Sequence, residues 1–288
     1  MHAIPLEPGV DPYEALENGN VLLLPEAPLA WNAEELDLIR NVHLSGSHHK
    51  NISYKPARDK LCGLDKTPPD LRRRFHGLLQ RFSRAAVEHA AKVLPRYARS
   101  WHPDYASFRP VEEAGRRLPF KKRNDLLHTD AFPTRPTRGG LILRMFTNLH
   151  PSEPRVWIIS DPFEVTARIY AAGAGLDQFA GRGLLSAVGR RLRHAGLPLA
   201  RRSPYDRFML AFHDYLKRNS YFQSATPRYR LEFPPGATWI VFTDVVPHAV
   251  ESGQFAMEQT MIVARDSLAM PERAPIAILE KLAGRPLL

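Results

Sequence analysis

The sequence predicts an α+β chain that is mainly β: a double-stranded β-helix, the jelly-roll or cupin-like barrel, braced by flanking α-helices. Three observations carry this. Short apolar runs bounded by Gly, Pro and Asn recur at Leu141–Asn148, 155–160, Tyr229–Phe233, 238–243, 246–250 and 255–264, the pattern of a sandwich or barrel. One largely helical insertion, about 162–220, divides strands that must still pair. The helical stretches near the two ends are apolar on one face, as outer braces require.

In chain order, Val21–Leu24 reads as a buried strand. Asn32 with Glu35 has the spacing of a capping box and opens a helix through Leu36 and Ile39. Residues 45–66 turn polar and basic (His48, His49, Lys50, Tyr54, Lys55, Arg58) and show no helix or strand period, which suits a loop that covers a substrate or a mobile insertion. Thr67, Pro68 and Asp70 then read as cap, first helical position and dipole-facing acid. Leu71, Phe75, Leu78, Phe82, Ala86 and Val93 follow at helical spacing until Pro95 stops the helix. Ser203 and Asp206 cap a helix that carries Phe208, Ala211, Phe212 and Tyr215. A last helix, 276–282, stops at Gly284. The expected organisation is a single domain over 1–288, with an N-terminal strand and braces in 1–100, the jelly-roll core in 101–265 and a closing helix in 266–288.

Composition narrows the class. With 44% hydrophobic residues the chain supports a sizeable core, and the single Cys62 excludes an internal disulfide or a multi-cysteine zinc site and points to a reducing compartment. No apolar run approaches roughly 18 residues and the N-terminus lacks a signal-peptide pattern, so a cytoplasmic protein is expected, with peripheral contact to the inner membrane as a further expectation. A formal charge of +10 implies an acidic partner: nucleic acid, an anionic membrane surface or an anionic glycolipid. No RNA-binding aromatic motif, zinc-finger spacing or clear helix-turn-helix is present, so no nucleic acid is expected.

The chemistry concentrates at His128-Thr129-Asp130 and, far downstream, His248. Two imidazoles and one carboxylate on one face of an ion leave its other face open, the arrangement of non-haem Fe(II) oxygenases. Residues i and i+2 of an extended segment point to the same side, so the first pair comes from one segment and His248 from a distant strand. A second H-x-D, His102 and Asp104, lacks the turn and strand that follow Asp130 and reads as an ordinary loop. Neither the serine-hydrolase elbow nor a dinucleotide fingerprint occurs; Gly173 and Gly175 lack the third glycine and the flanking elements.

An oxygenase of this kind usually uses 2-oxoglutarate, whose far carboxylate needs a cation. The place shortly after the distal histidine, where many such enzymes carry Arg or Lys, is taken by Met257, Glu258 and Gln259. Arg144 is therefore the leading candidate, with Asn148, Gln259 or Thr260 assisting and Arg265 as a second cation. Around the proposed metal, Lys121, Lys122, Arg123, Arg135 and Arg138, with Tyr54, Lys55 and Arg58 from the polar loop, suit a polyanionic substrate.

Three segments, 127–134, 143–151 and 248–260, resemble the 3-deoxy-D-manno-octulosonic acid (Kdo) hydroxylases of Gram-negative bacteria, and the resemblance extends over most of the chain. It implies an Fe(II)/2-oxoglutarate-dependent dioxygenase, with ascorbate as reductant and oxygen as co-substrate, that hydroxylates carbon 3 of a Kdo sugar on lipid A to give Ko. Two other classes stay open at this point: an oxygenase of the same chemistry acting on nucleic acid or another anion, and a sugar-binding jelly roll without catalysis.

Overall fold

A computed structural model describes residues 2–44, 51–181 and 202–288. His48, His49 and Lys50 of the polar stretch, and part of the helical insertion, lie outside these residues. The chain opens with β1 (Ala3–Pro5), α1 (Pro12–Glu17), β2 (Val21–Leu24) and α2 (Ala33–Asn41), the last closed by the expected Asn32/Glu35 capping box. The strands β3 (Ile52–Lys55) and β4 (Lys60–Cys62) then form a hairpin where the sequence showed no period. Its turn is a 3-10 helix followed by Asp59 at φ 44, and such irregular geometry hides strands this short.

The long helix α3 (Pro69–Val93) starts one residue later than expected: Pro68, not Thr67, stands at the cap, and no side chain caps it. After α4 (Pro95–Ala98) comes β5 (His102–Arg109), a strand the sequence did not announce. Pro103 argues against a central strand because it has no N–H to donate. Here the register against the neighbouring strand shifts next to Pro103, and this irregularity accommodates it. Beyond β6 (Leu141–Asn148) and β7 (Arg155–Ile159) lie α5 (Phe163–Tyr170), α6 (Leu176–Ala180), α7 (Pro204–Arg218) and α8 (Ser220–Ala225), then β8 (Tyr229–Phe233), β9 (Thr238–Phe242), β10 (His248–Ser252), β11 (Ala256–Val263) and α9 (Pro275–Ala283).

Among the described residues these strands build two sheets. One has eight strands in the order β1-β2-β9-β6-β11-β5-β3-β4 and the other three in the order β10-β7-β8. Phe146, Trp239 and Val241 of the large sheet pack against Trp157, Phe233 and Val250 of the small one. Trp239 stacks on Phe233 with ring centroids 3.8 Å apart, and Phe146 meets Trp157 edge to face. The two-sheet arrangement matches the expectation, although among the described residues the sheets do not close into a continuous hydrogen-bonded barrel. Behind the large sheet α3 covers β5 and β11, with Phe75 against Phe108. Strand alternation therefore sorts β11: Met257 and Met261 belong to the helix-backed core, and Glu258 and Thr260 turn into the space between the sheets.

Candidate active site

His128 and His248 are brought side by side by two reciprocal backbone bonds, His128 N to His248 O at 3.1 Å and His248 N to His128 O at 2.9 Å. Two residues on, Asp130 N donates to Thr243 O and turns its carboxylate onto the same side. Each imidazole Nδ1 lies against a backbone carbonyl, that of Leu126 at 2.7 Å and that of Val246 at 2.9 Å. A carbonyl only accepts, so Nδ1 carries the proton and Nε2 keeps its lone pair. Both Nε2 atoms face Asp130, at 3.8 and 3.9 Å from its oxygens, and the three prospective ligand atoms lie within 4.8 Å of one another. His248 is further held flat against Trp157, 5.3 Å away.

The electrostatics suit a cation. Burial pushes both histidines below their ordinary value and keeps them neutral, the form that binds a metal. Burial alone would raise Asp130, but Arg144 and the two imidazoles override it and hold the carboxyl well below its usual range. Asp130 Oδ2 is buried and accepts no hydrogen bond, which is the donor atom a metal would use. Two neutral imidazoles and this carboxylate fit Fe(II).

The triad opens into a cavity of about 520 Å³ lined by both sheets and by α7. Three arginines stand on its sheet side. Arg109 binds Glu258 through Nε at 3.0 Å and a terminal nitrogen at 2.6 Å. Arg144 lies 3.2 Å from Asp130 and 3.6 Å from Glu258. Arg155 is fully buried; one terminal nitrogen donates to Gly253 O at 2.9 Å, while Nε and the other terminal nitrogen have no partner. Burial and the nearby Arg109 push its guanidinium down to about 10. Gly253, at φ 127, permits this approach: a Cβ there would stand 3.0 Å from the Arg155 Cα. Arg144 Nε and Trp157 Nε1 are also buried without partners. Since nearly all buried polar groups in proteins are satisfied, four orphaned donor atoms on one cavity wall mark a site for an anionic oxygen ligand.

Across the triad, α7 presents His213 and Lys217. The His213 Nδ1 donates to Thr129 O at 2.8 Å and its ring stands edge-on to His128, 4.8 Å between centroids. Burial and then Lys217 push His213 down to about 4, and burial pushes Lys217 down to about 8. The unfolded chain therefore binds protons that the folded one refuses as pH falls below about 6.5. His128 and His248 act in the same sense. Lys217 already removes part of the stability as pH falls from 10.5 to about 8. Below that we expect the metal-free protein to hold level to pH 6.5 and then to lose stability progressively toward pH 4, with His213→Gln shallowing this second loss; denaturant titrations at stepped pH measure this. A flat profile over that window would contradict the buried neutral state.

The other residues singled out by sequence divide clearly. Arg144, Thr260, Lys121 and Arg135 line the cavity. Lys121 pairs with Asp214 at 3.4 Å, and Arg135 pairs with Asp104 while lying 3.9 Å from the Tyr105 ring centroid and 4.0 Å from that of Phe132. Asp104, from the second H-x-D, thus serves as an arginine partner. Asn148 is placed elsewhere: its amide donates to Glu153 O and Phe233 O. The Gln259 side chain points behind the sheet to Ser83 and the Asp104 carbonyl. Arg265 faces Glu280 in a separate depression that also contains Arg138. Arg123 pairs with Asp125, and Tyr54 donates to Asp59. Lys55 sits over the Tyr105 ring, 5.0 Å from its centroid, and Lys55, Lys122 and Arg58 are not part of the cavity lining. Arg109, Arg155, Trp157, Glu258, His213 and Lys217 escaped the sequence reading. The one available signal was an arginine opening the otherwise apolar run 155–159, where a surface side chain has no place.

Comparison with known proteins agrees with this geometry. The family model described as 3-deoxy-D-manno-oct-2-ulosonic acid (Kdo) hydroxylase matches residues 4–286. A search of curated proteins finds no significant match. Among solved structures, the Kdo hydroxylase KdoO, a non-heme Fe(II) α-ketoglutarate-dependent dioxygenase, aligns in its complex with α-ketoglutarate and Fe(III) at a TM-score of 0.82 and 36% identity, covering 96% of this chain and 90% of that one. Its cobalt(II) complex gives the same figures. The apo form aligns at a TM-score of 0.82 and 35% identity over 100% of this chain and 96% of that one. A family model spanning nearly the whole length, together with a shared fold at this identity, makes the chain a member of the Kdo hydroxylase family.

Proposed function

We propose that the protein is an Fe(II)- and 2-oxoglutarate-dependent dioxygenase that hydroxylates carbon 3 of Kdo carried on lipid A, giving Ko. The observation that carries this reading is the triad of neutral His128 and His248 with ionised Asp130, facing a cavity wall of orphaned N–H donors from Arg144, Arg155 and Trp157. His128, Asp130 and His248 would hold the iron, and Arg155, with Arg144 and the Trp157 indole N–H, would receive the far carboxylate of 2-oxoglutarate. Bound there, iron and co-substrate supply the oxidation: 2-oxoglutarate and oxygen give succinate and carbon dioxide, with one oxygen atom inserted into a C–H bond.

The chain's own part is positioning and exclusion. The carbonyls of Leu126 and Val246 fix the imidazole tautomers, and the stack of His248 on Trp157 fixes one ring plane. Phe146, Trp157 and Val250 give the cavity a dry side, which strengthens each ionic contact. The formal charge of +10, and the cations Lys121, Arg135 and Arg202 in the lining, support a phosphorylated and carboxylated glycolipid as substrate. Among the described residues no helix is long and apolar enough to cross a membrane.

Incubation with Fe(II), ascorbate, 2-oxoglutarate, oxygen and Kdo-bearing lipid A tests this. The expected product is heavier by one oxygen atom, located on a Kdo ring by fragmentation and formed in step with succinate. Succinate released with methylated DNA, and not with the glycolipid, would overturn the substrate assignment.

A further inference from the structure

A cation on the α7 side of the cavity has the carboxylates of Asp130, Asp214 and Asp125 in its neighbourhood but none in ion-pair contact among the described residues. Lys217 is 4% exposed, yet its ammonium makes only a long contact to the Lys121 carbonyl at 3.4 Å, and among the described residues it forms no ion pair. Its neighbours are engaged: Lys121 with Asp214, Arg123 with Asp125 and Arg135 with Asp104. A buried ammonium lacking an anion in contact is costly, and evolved sites keep such groups for a ligand that supplies one.

Its position is defined by the helix. Leu210, His213, Asp214 and Lys217 line the cavity at i, i+3, i+4 and i+7, so all belong to one face of α7. One turn before Lys217, His213 stands against the His128 ring. The cavity is thus flanked by two positive groups on opposite sides of the triad: the arginines from β5, β6 and β7, and Lys217 from α7. The arginine side supplies enough donors for a small dicarboxylate. Lys217 remains for the second molecule the reaction requires.

Resting on the reading above, we infer that Lys217 binds the C1 carboxylate of the Kdo unit and thereby presents carbon 3 to the metal side of the cavity. In a 3-deoxy-2-ulosonic acid the carboxyl carbon and the methylene at carbon 3 are separated only by carbon 2, so fixing the acid group fixes the reacting carbon. Attachment of the sugar through carbon 2 leaves that carboxylate free. A neutral sugar offers Lys217 nothing, and the residue selects for ulosonic acids. His213 adds to this: with Nδ1 donating to Thr129 O, its Nε2 is an acceptor suited to a sugar hydroxyl.

The test measures binding of the methyl glycoside of Kdo and of its C1 carboxamide, anaerobically, to protein loaded with Fe(II) and 2-oxoglutarate. Wild type is expected to prefer the acid by on the order of 10- to 100-fold, the range for one charge-assisted contact. Lys217→Met should bring the ratio near one by weakening the acid alone, and Lys217→Arg should retain much of it. In turnover, Lys217→Met should also release more succinate than hydroxylated sugar, since a loosely held methylene is missed. An unchanged absorption of the Fe(II)/2-oxoglutarate chelate in Lys217→Met verifies its fold. Full acid preference in Lys217→Met overturns the assignment of the carboxylate while leaving the hydroxylase reading standing. Equal binding of the two glycosides by wild type, or binding of neither, overturns it likewise; absence of turnover of Kdo-bearing lipid A by the loaded wild type overturns both.

Discussion

Anaerobic addition of Fe(II) and 2-oxoglutarate to the wild-type protein should develop the weak visible charge-transfer band of an iron keto-acid chelate, and His128→Ala or His248→Ala should abolish both the band and hydroxylation. The expected loss is complete because the protein donors number three and come from only two places, the 128–130 segment and the start of β10. Removing one imidazole leaves two ligands that no longer define a face. The backbone ladder between His128 and His248 does not depend on either side chain, so the register of the site should survive substitution. The local packing will not be untouched, because the His248 ring fills space between Trp157 and His128. His248→Gln, closer in volume, separates loss of the ligand from loss of packing. If the band persists in a folded His248 variant, iron is held elsewhere and the triad is a structural cluster.

The metal centre was legible because its grammar is local. An H-x-D in an extended segment, a strand after it and a histidine at the start of a later strand can all be read along the chain, as can the capping boxes at Asn32 and Ser203. The arginine wall proposed for the co-substrate was legible only at Arg144, because the rest of it depends on which face of each strand turns inward. Of the two neighbours read as assisting Arg144, Thr260 lines the cavity and Gln259 points behind the sheet, and on a strand one residue is the difference between the cavity and the helix-backed core. Arg109 and Arg155 were missed for a related reason. Arginine in a strand ordinarily reads as solvent-facing, and the partner that makes Arg109 tolerable, Glu258, lies on another strand far along the chain. Closeness to the motif in sequence does not sort the cations either: Lys121 and Arg135 line the cavity, whereas their neighbours Lys122 and Arg138 do not.

The arginine wall makes a second prediction, in which stability and binding move apart. Arg155→Met should weaken 2-oxoglutarate binding by on the order of 100-fold, the scale of stranding a buried carboxylate without its partner, while leaving thermal stability unchanged or raised. The reason is that Arg155 is fully buried with two nitrogens unpartnered, so an apolar residue of similar length removes a desolvated charge and breaks one hydrogen bond, to Gly253 O. Arg109→Met should behave in the opposite way. Arg109 neutralises Glu258 through two hydrogen bonds and lies 3.9 Å from Glu113, so its removal leaves the buried Glu258 with only the longer contact to Arg144 at 3.6 Å and should lower stability, by up to about 3 kcal/mol. Arg155→Lys should not restore binding, since an ammonium on a shorter reach cannot reproduce the planar pair of donors that a carboxylate engages. Titration of the chelate band gives the affinity and thermal unfolding of the metal-free protein gives the stability. Only a guanidinium kept for a ligand yields lost affinity with undiminished stability; a parallel loss of both in Arg155→Met would make it a structural arginine and leave Arg144 to hold the co-substrate.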